Sequence, residues 1–272
     1  MPRTARTASR DDPVLGVSHA PSVETLKYNM DKYSIPIDTS AIRDLVSHAG
    51  DPCVSIYLSL EEDGTGSTPA ERLESMLGMA MRLLSSRGLS EKQAEKLLKS
   101  ISRLTSLASF GKNAPGMGLF ASPGYSARFI LGSAPMEQVS VKTVFHIRPL
   151  LERVDEEEVL AEETNSRLAA LQERIDPEAE AAPEDIALEL QDVLDAAQNG
   201  EVELLFISRD CRISGTGKGL NDEMRLNFAG VDMANQAAIW TIENGGEVLM
   251  TAPDALGTGT KMLAELRCAQ KV

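Results

Sequence analysis

The chain has 272 residues, 42% hydrophobic and 25% charged, an ordinary globular balance that excludes disorder over most of its length. Its net charge of −14 counts against a polyanion-binding surface unless positive charge is gathered locally, and no run approaches the roughly 20 apolar residues that span a bilayer. Cys53, Cys211 and Cys268 lie far apart without short spacing, which suggests neither a disulfide framework nor a zinc knuckle and fits a reduced cytoplasm.

Taken in chain order, residues 1–36 read as a tail with one short helix near 23–33. Arg3, Arg6 and Arg10 give it basic character, but no apolar run of signal-peptide length follows. Asp38, Thr39 and Ser40 offer caps to a helix carrying Ile42, Leu45 and Val46, ended by Gly50-Asp51-Pro52. Residues 53–60 are β-branched, aromatic and bounded by turns, and so predict a strand. Pro69 opens a long helix closed by Gly88. Ser90 and Gln93 form a capping-box pair for the next, which carries Ala94, Leu97, Leu98, Ile101 and Leu104 on one side. A strand pair at 116–122 and 126–132, joined by Pro123-Gly124, precedes a third strand at 138–145.

The character then changes. From Glu152 to Asp185 thirteen acidic residues face three basic ones, Arg153, Arg167 and Arg174, so this segment holds about ten of the fourteen excess negative charges. Residues 152–175 predict an acidic helix, and 176–185, with Pro177 and Pro183, a linker. Beyond it come a helix at 186–198 stopped by Gly200, a buried strand at 202–208, a helix at 233–243 stopped by Gly245-Gly246, and strands at 248–251 and 261–267. Length and this alternation predict two α/β domains: a mixed α/β domain over 37–151, an acidic helical connector over 152–183, and a three-layer α/β/α sandwich with a partly parallel sheet over 184–272.

Several stretches carry a resemblance. Asp51-Pro52-Cys53-Val54-Ser55-Ile56-Tyr57-Leu58, Gly116-Met117-Gly118-Leu119-Phe120-Ala121-Ser122 and Phe145-His146-Ile147-Arg148-Pro149-Leu150 look like first-domain strands and exit. The runs from Asp192 to Leu205 and from Glu243 to Leu249 look like a third domain. In this order the chain resembles the bacterial, Pelota- and Balon-like branch of the archaeo-eukaryotic release-factor superfamily over roughly 40–151 and 184–268. The resemblance implies that the C-terminal sandwich is of the kink-turn-binding ribosomal-protein type. It also implies a departure: the family's central domain, which carries the Gly-Gly-Gln loop in release factors, has no room between Leu151 and Glu184. Gly245-Gly246 is followed by Glu247 and reads as a helix stop.

The most informative local pattern is Lys92, Lys96, Lys99 and Arg103, at spacings of four, three and four. At about 100° per residue they form one stripe opposite the apolar side, with Arg82, Arg87 and Lys112 expected nearby. A plain solvated face explains such a stripe; the resemblance makes it a candidate contact to ribosomal RNA phosphates. Gly215-Thr216-Gly217-Lys218-Gly219 lacks the spacing of a phosphate-binding loop and predicts a mobile loop. His19, His48 and His146 have no ligand partners at metal spacing, and nothing near Cys53 marks it as a nucleophile. The acidic run reads as a solvated face whose Leu160, Leu168, Leu171 and Ile175 pack on either the last domain or a second copy of the chain.

These readings make the chain a non-enzymatic factor without cofactor or metal that acts by occupancy. The resemblance implies a cytoplasmic partner in the ribosome, its RNA and proteins, with the last domain toward the factor-binding side of the large subunit or a translational GTPase. The net charge keeps open a different class, an acidic interaction or oligomerisation module without ribosome binding.

Overall fold

The computed structural model describes residues 37–62, 64, 66–106, 114–154, 158–175, 183–215, 230–257 and 259–267. The tail helix expected at 23–33, Lys112, most of the glycine-rich loop at 215–219, most of the linker and Cys268 lie outside them.

Helix α1 (Thr39–Ser47) starts where the Asp38 carboxylate accepts the Ala41 N–H at 2.8 Å, and it buries Ile42, Leu45 and Val46. Strand β1 (Cys53–Ser59) leads to the hairpin of α2 (Pro69–Ser86) and α3 (Glu91–Ser106). The full capping box belongs to α2. There the Glu71 N–H donates to the Thr68 hydroxyl at 3.3 Å, and the Thr68 N–H donates to the Glu71 carboxylate at 2.7 Å. At α3 the expected box is one-sided. Gln93 Oε1 accepts the Ser90 N–H at 3.1 Å and the Ser90 hydroxyl at 2.6 Å, while the Gln93 N–H goes to the Ser90 carbonyl.

Strands β2 (Gly116–Ser122), β3 (Tyr125–Leu131) and β4 (Gln138–Lys142) complete an antiparallel sheet in the order β3-β2-β1-β4. Strand β4 ends at Lys142, short of 145, because β1 offers it no partner before Cys53. The sheet is buried on both faces. Val54, Ile56 and Leu58 meet Met117, Leu119 and the α2–α3 hairpin, whereas Cys53, Tyr57 and Phe120 point to the other side, as the two-residue period requires.

The second half contains α4 (Arg148–Val154), α5 (Glu158–Gln172), β5 (Ile186–Ala187), α6 (Leu190–Asn199), β6 (Val202–Ser208), α7 (Met233–Glu243), β7 (Glu247–Thr251) and β8 (Met262–Leu266). Two observed boundaries differ from the sequence reading. The acidic segment holds parts of two helices rather than one, and the helix expected from 186 begins at Leu190, because Ile186 and Ala187 pair with β8 instead. The sheet order is β5-β8-β6-β7, with β6 and β7 parallel and the remaining pairs antiparallel. Leu168 and Leu171 of α5 cover one face through Leu204, Phe206, Leu249 and Leu263. Leu205 and Ile207 pack with residues of α6 and α7 on the other. The result is the three-layer α/β/α arrangement within a mixed α/β chain.

One apolar core joins the two sheets. It contains Tyr57, Phe120 and Phe145 from the first half and Val193, Leu205 and Ile239 from the second. Burying each such large side chain contributes about 1.5–3 kcal/mol. Helix α7 explains the continuity, for its buried residues, including Met233, Asn235, Ala237, Ile239 and Ile242, occupy every side, which is the signature of an interior helix.

A polar joint runs through this core. Asn235 Oδ1 accepts the N–H groups of Ile147 at 2.8 Å and Arg148 at 3.3 Å, and its Nδ2 donates to the Phe145 carbonyl at 2.9 Å. Arg148, 2% exposed, donates to the carbonyls of Cys211 at 2.6 Å and Arg209 at 3.2 Å and pairs with Asp232 at 3.2 Å. The Tyr57 hydroxyl donates to the His146 carbonyl at 2.7 Å. Most buried polar groups of the segment leaving the first sheet are thereby satisfied, by Asn235 and backbone carbonyls of the second half and by Tyr57 of the first, as a buried backbone demands; Arg148 Nε is left without a partner among the described residues.

Candidate nucleic-acid interface

Helix α3 presents its charge as its sequence dictates. Ala94, Leu97, Leu98 and Ile101 are buried against the sheet, and Lys92, Lys96, Lys99 and Arg103 are exposed. Glu91 in the first turn and Arg103 in the last also complement the helix dipole.

Beside this helix lies a groove of about 690 Å³ between the α2–α3 hairpin and the β2–β3 turn. Arg87, Gln93, Lys96 and Arg103 line its helical side, and Asp51, Pro123 and Tyr125 its sheet side. Arg87 reaches it from the C-terminal end of α2 and donates to Asp51 Oδ1 at 2.9 Å. The structure thus brings together three of the seven cations singled out by sequence. Lys92 and Lys99 stand on the same helix but outside the groove lining, Arg82 is exposed on α2 and also outside it, and Lys112 is not among the described residues.

Sequence reasoning missed the sheet side of this groove. Tyr125 stacks on His48 with ring centroids 4.1 Å apart and planes 10° from parallel, and its hydroxyl donates to Asp44 at 3.4 Å. Burial pushes the Tyr125 phenol up to about 12, with Asp44 adding to the shift. The Pro123-Gly124 turn was legible as a turn; its approach to the hairpin was not.

The remaining candidates are structural in their surroundings. The His146 N–H donates to Ser55 Oγ at 3.0 Å, and burial lowers the imidazole below its ordinary 6.5, with Arg148 and Arg212 acting the same way and Asp232 opposing. Burial pushes the thiols of Cys53 and Cys211 up to about 11, which suppresses the thiolate a nucleophile needs. Gly245 takes φ 80° at the end of α7, the left-handed stop its sequence suggested. Among the described residues, no three His, Cys, Asp or Glu side chains gather as a metal site, and no helix is long and apolar enough to cross a membrane.

No protein-family model matches the chain, and no curated protein sequence matches it. Among solved structures it is similar to an archaeal translation termination factor, at 12% identity and a TM-score of 0.32, over 84% of this chain and 96% of that one. A second similar structure, described as an archaeal protein, has 12% identity and a TM-score of 0.34, over 85% of this chain and 97% of that one. These are distant likenesses of fold and assign no role to any residue.

Proposed function

We propose that this chain is a non-catalytic, RNA-associated factor that acts by occupying a site on the ribosome, with the exposed face of α3 as its contact. The observation that carries the reading is the concentration of Lys92, Lys96, Lys99 and Arg103 on one exposed helix face in a chain of net charge −14. An acidic protein meets a phosphate surface only through such a local stripe, because elsewhere its field repels the polyanion. The choice of the ribosome rests on the sequence resemblance to Pelota- and Balon-like factors, as does a translational GTPase as a neighbour of the C-terminal sandwich. In this reading the protein protects idle ribosomes or competes with other factors, without a hydrolytic step.

The test is co-sedimentation with ribosomes at low salt. Replacing Lys96, Lys99 and Arg103 together by Glu should lower the bound fraction at least tenfold, and the wild-type interaction should weaken steeply as salt rises. Unchanged binding by the triple variant removes the stripe from the reading. The second reading, an interaction or oligomerisation module, draws on the exposure of Met79, Leu83 and Met136. It predicts self-association in sedimentation velocity and no ribosome binding.

A further inference from the structure

Strand β4 stands at the rim of the first sheet, and among the described residues no strand pairs with its outer side. Such an edge presents unpaired N–H and C=O groups at alternate residues, a template for another strand unless something guards it. Few guards are present. Residues 138–142 pair with β1 in unbroken register, contain no proline and carry one charge, Lys142, whose ammonium is held back by the Gly230 carbonyl at 2.8 Å.

The cover above this edge is apolar. Helix α2 lies over β1 and β4, and α3 over β2 and β3, so the flank of α2 turned away from α3 overhangs the rim. Arg72 marks that flank, because its Nε donates to Glu137, the residue before β4, at 2.8 Å. At about 100° per residue, Met79 and Leu83 fall within about 20° of Arg72 around the helix. Both are exposed, and Met136, two residues ahead of the strand, is 85% exposed. Among the described residues these three are the large apolar side chains left in water, and they gather around one edge.

We propose that β4 pairs antiparallel with β4 of a second copy of this chain, about a two-fold axis through Ser140, joining two four-stranded sheets into one continuous sheet. The strand is complementary to itself. An axis perpendicular to the sheet keeps each face continuous, as a self-matching contact requires. It sets Val139 opposite the partner's Val141 on the hairpin side and Gln138 opposite the partner's Lys142 on the other, so no charge meets its like.

The helices fit the same axis. With strands about 4.8 Å apart, an α2 lying over both β1 and β4 stands about 5 Å from the axis, and the two copies of α2 about 10 Å from each other, the spacing of packed helices. Met79 and Leu83 of the two copies then close over the joint, and the antiparallel arrangement turns Arg82 toward the partner's acidic first turn. An unrelated peptide satisfies the backbone edge alone; a second copy also brings the helix that covers these side chains. The inference deepens the oligomerisation reading by naming where copies meet. It leaves the cationic stripe free, since α3 lies over the other half of the sheet.

The test is sedimentation velocity of the full chain. A contact this small lies at or below about 1,200 Å² of buried surface, so dimers should form with a dissociation constant of about 1–100 μM. Changing Met79 and Leu83 together to Lys, both at exposed positions, should raise that constant about tenfold or more and leave the melting temperature of the dilute monomer unchanged. Cysteines test the register in a Cys268→Ser background, where Cys53 and Cys211 are buried. Ser140→Cys should give a disulfide-linked dimer with diamide, because directly opposed strand residues stand about 4.5–5.5 Å apart, within disulfide reach. Gln138→Cys should not, since its counterpart lies four residues further along, about 13–14 Å away. A chain still monomeric at about 300 μM overturns the proposal; so does equal cross-linking of the two cysteine variants, or association unchanged by the lysine pair. Hydrogen exchange separates the remaining occupant: protection of 138–142 should grow with protein concentration, and protection already complete in the monomer means that a segment of the same chain holds the edge, which also overturns it. Ribosome co-sedimentation by a monomer sinks this inference alone, and a dimer that does not co-sediment sinks only the ribosome reading.

Discussion

Replacing Asn235 by Ala tests whether the two halves of the chain are one cooperative body. The side chain is 4% exposed and serves three backbone groups of the segment that leaves the first sheet. An unsatisfied buried donor or acceptor costs about 1–3 kcal/mol. Counting the two shorter bonds fully and the 3.3 Å bond not at all, the loss is about 2–6 kcal/mol. That is a large part of the roughly 5–15 kcal/mol by which a domain is stable. For a chain of this size each kcal/mol moves the melting temperature by about 2–4 °C, so the variant should melt roughly 5–20 °C lower. The assay is thermal unfolding by circular dichroism with urea unfolding alongside, and Asn165→Ala, at an exposed position of α5, should change neither midpoint. A fall below about 2 °C refutes the accounting of these bonds. Two separate transitions, only one of them displaced, would show that the shared core does not couple the sheets.

Other outcomes follow from single contacts. His146 has a folded pKa below its ordinary 6.5, chiefly through burial. Below pH 6.5 the unfolded chain therefore takes up a proton that the native imidazole resists, and stability falls with pH until the lowered folded pKa is reached; urea unfolding at stepped pH should show this slope and lose it in His146→Gln. A Cβ at Gly246 would lie 2.7 Å from both the Val202 carbonyl and Thr241 Cγ2, so Gly246→Ala should cost about 1–3 kcal/mol in chemical unfolding. Cys53 and Cys211 are buried with thiols pushed up to about 11. In a Cys268→Ser background neither should react with Ellman's reagent at pH 8 until denaturant is added, and prompt reaction would contradict their burial.

Much of the local structure could be read from the residues. Asp38 caps α1 as its type suggests, and Gly200 ends α6 at φ 77°. The alternation of apolar and charged positions along α3 puts the cations outward without reference to any other part of the chain. Reading was incomplete at two helix starts. Ser90 and Gln93 pair as expected, but only one way, since the Gln93 N–H goes to the Ser90 carbonyl, and the reciprocal box of Thr68 and Glu71 at α2 was not singled out. Ile186 and Ala187 look helical in isolation, but β8 presents an open edge that claims their backbone groups.

By itself, the sequence determined most of the strands and helices, many of their ends and which side of each is apolar, since these follow from periods of two and about 3.6 residues and from caps within one turn. The sequence marked β1 as a strand; that its sheet is covered on both faces came only from the structure. What covers it was decided only by the tertiary structure, which set α7 into the shared core, aimed Asn235 at Phe145, Ile147 and Arg148, and brought the Pro123-Gly124 turn to the hairpin. A periodic pattern records that a face must leave water. It does not name the face that meets it, because burial is non-directional and rewards any apolar neighbour of suitable shape.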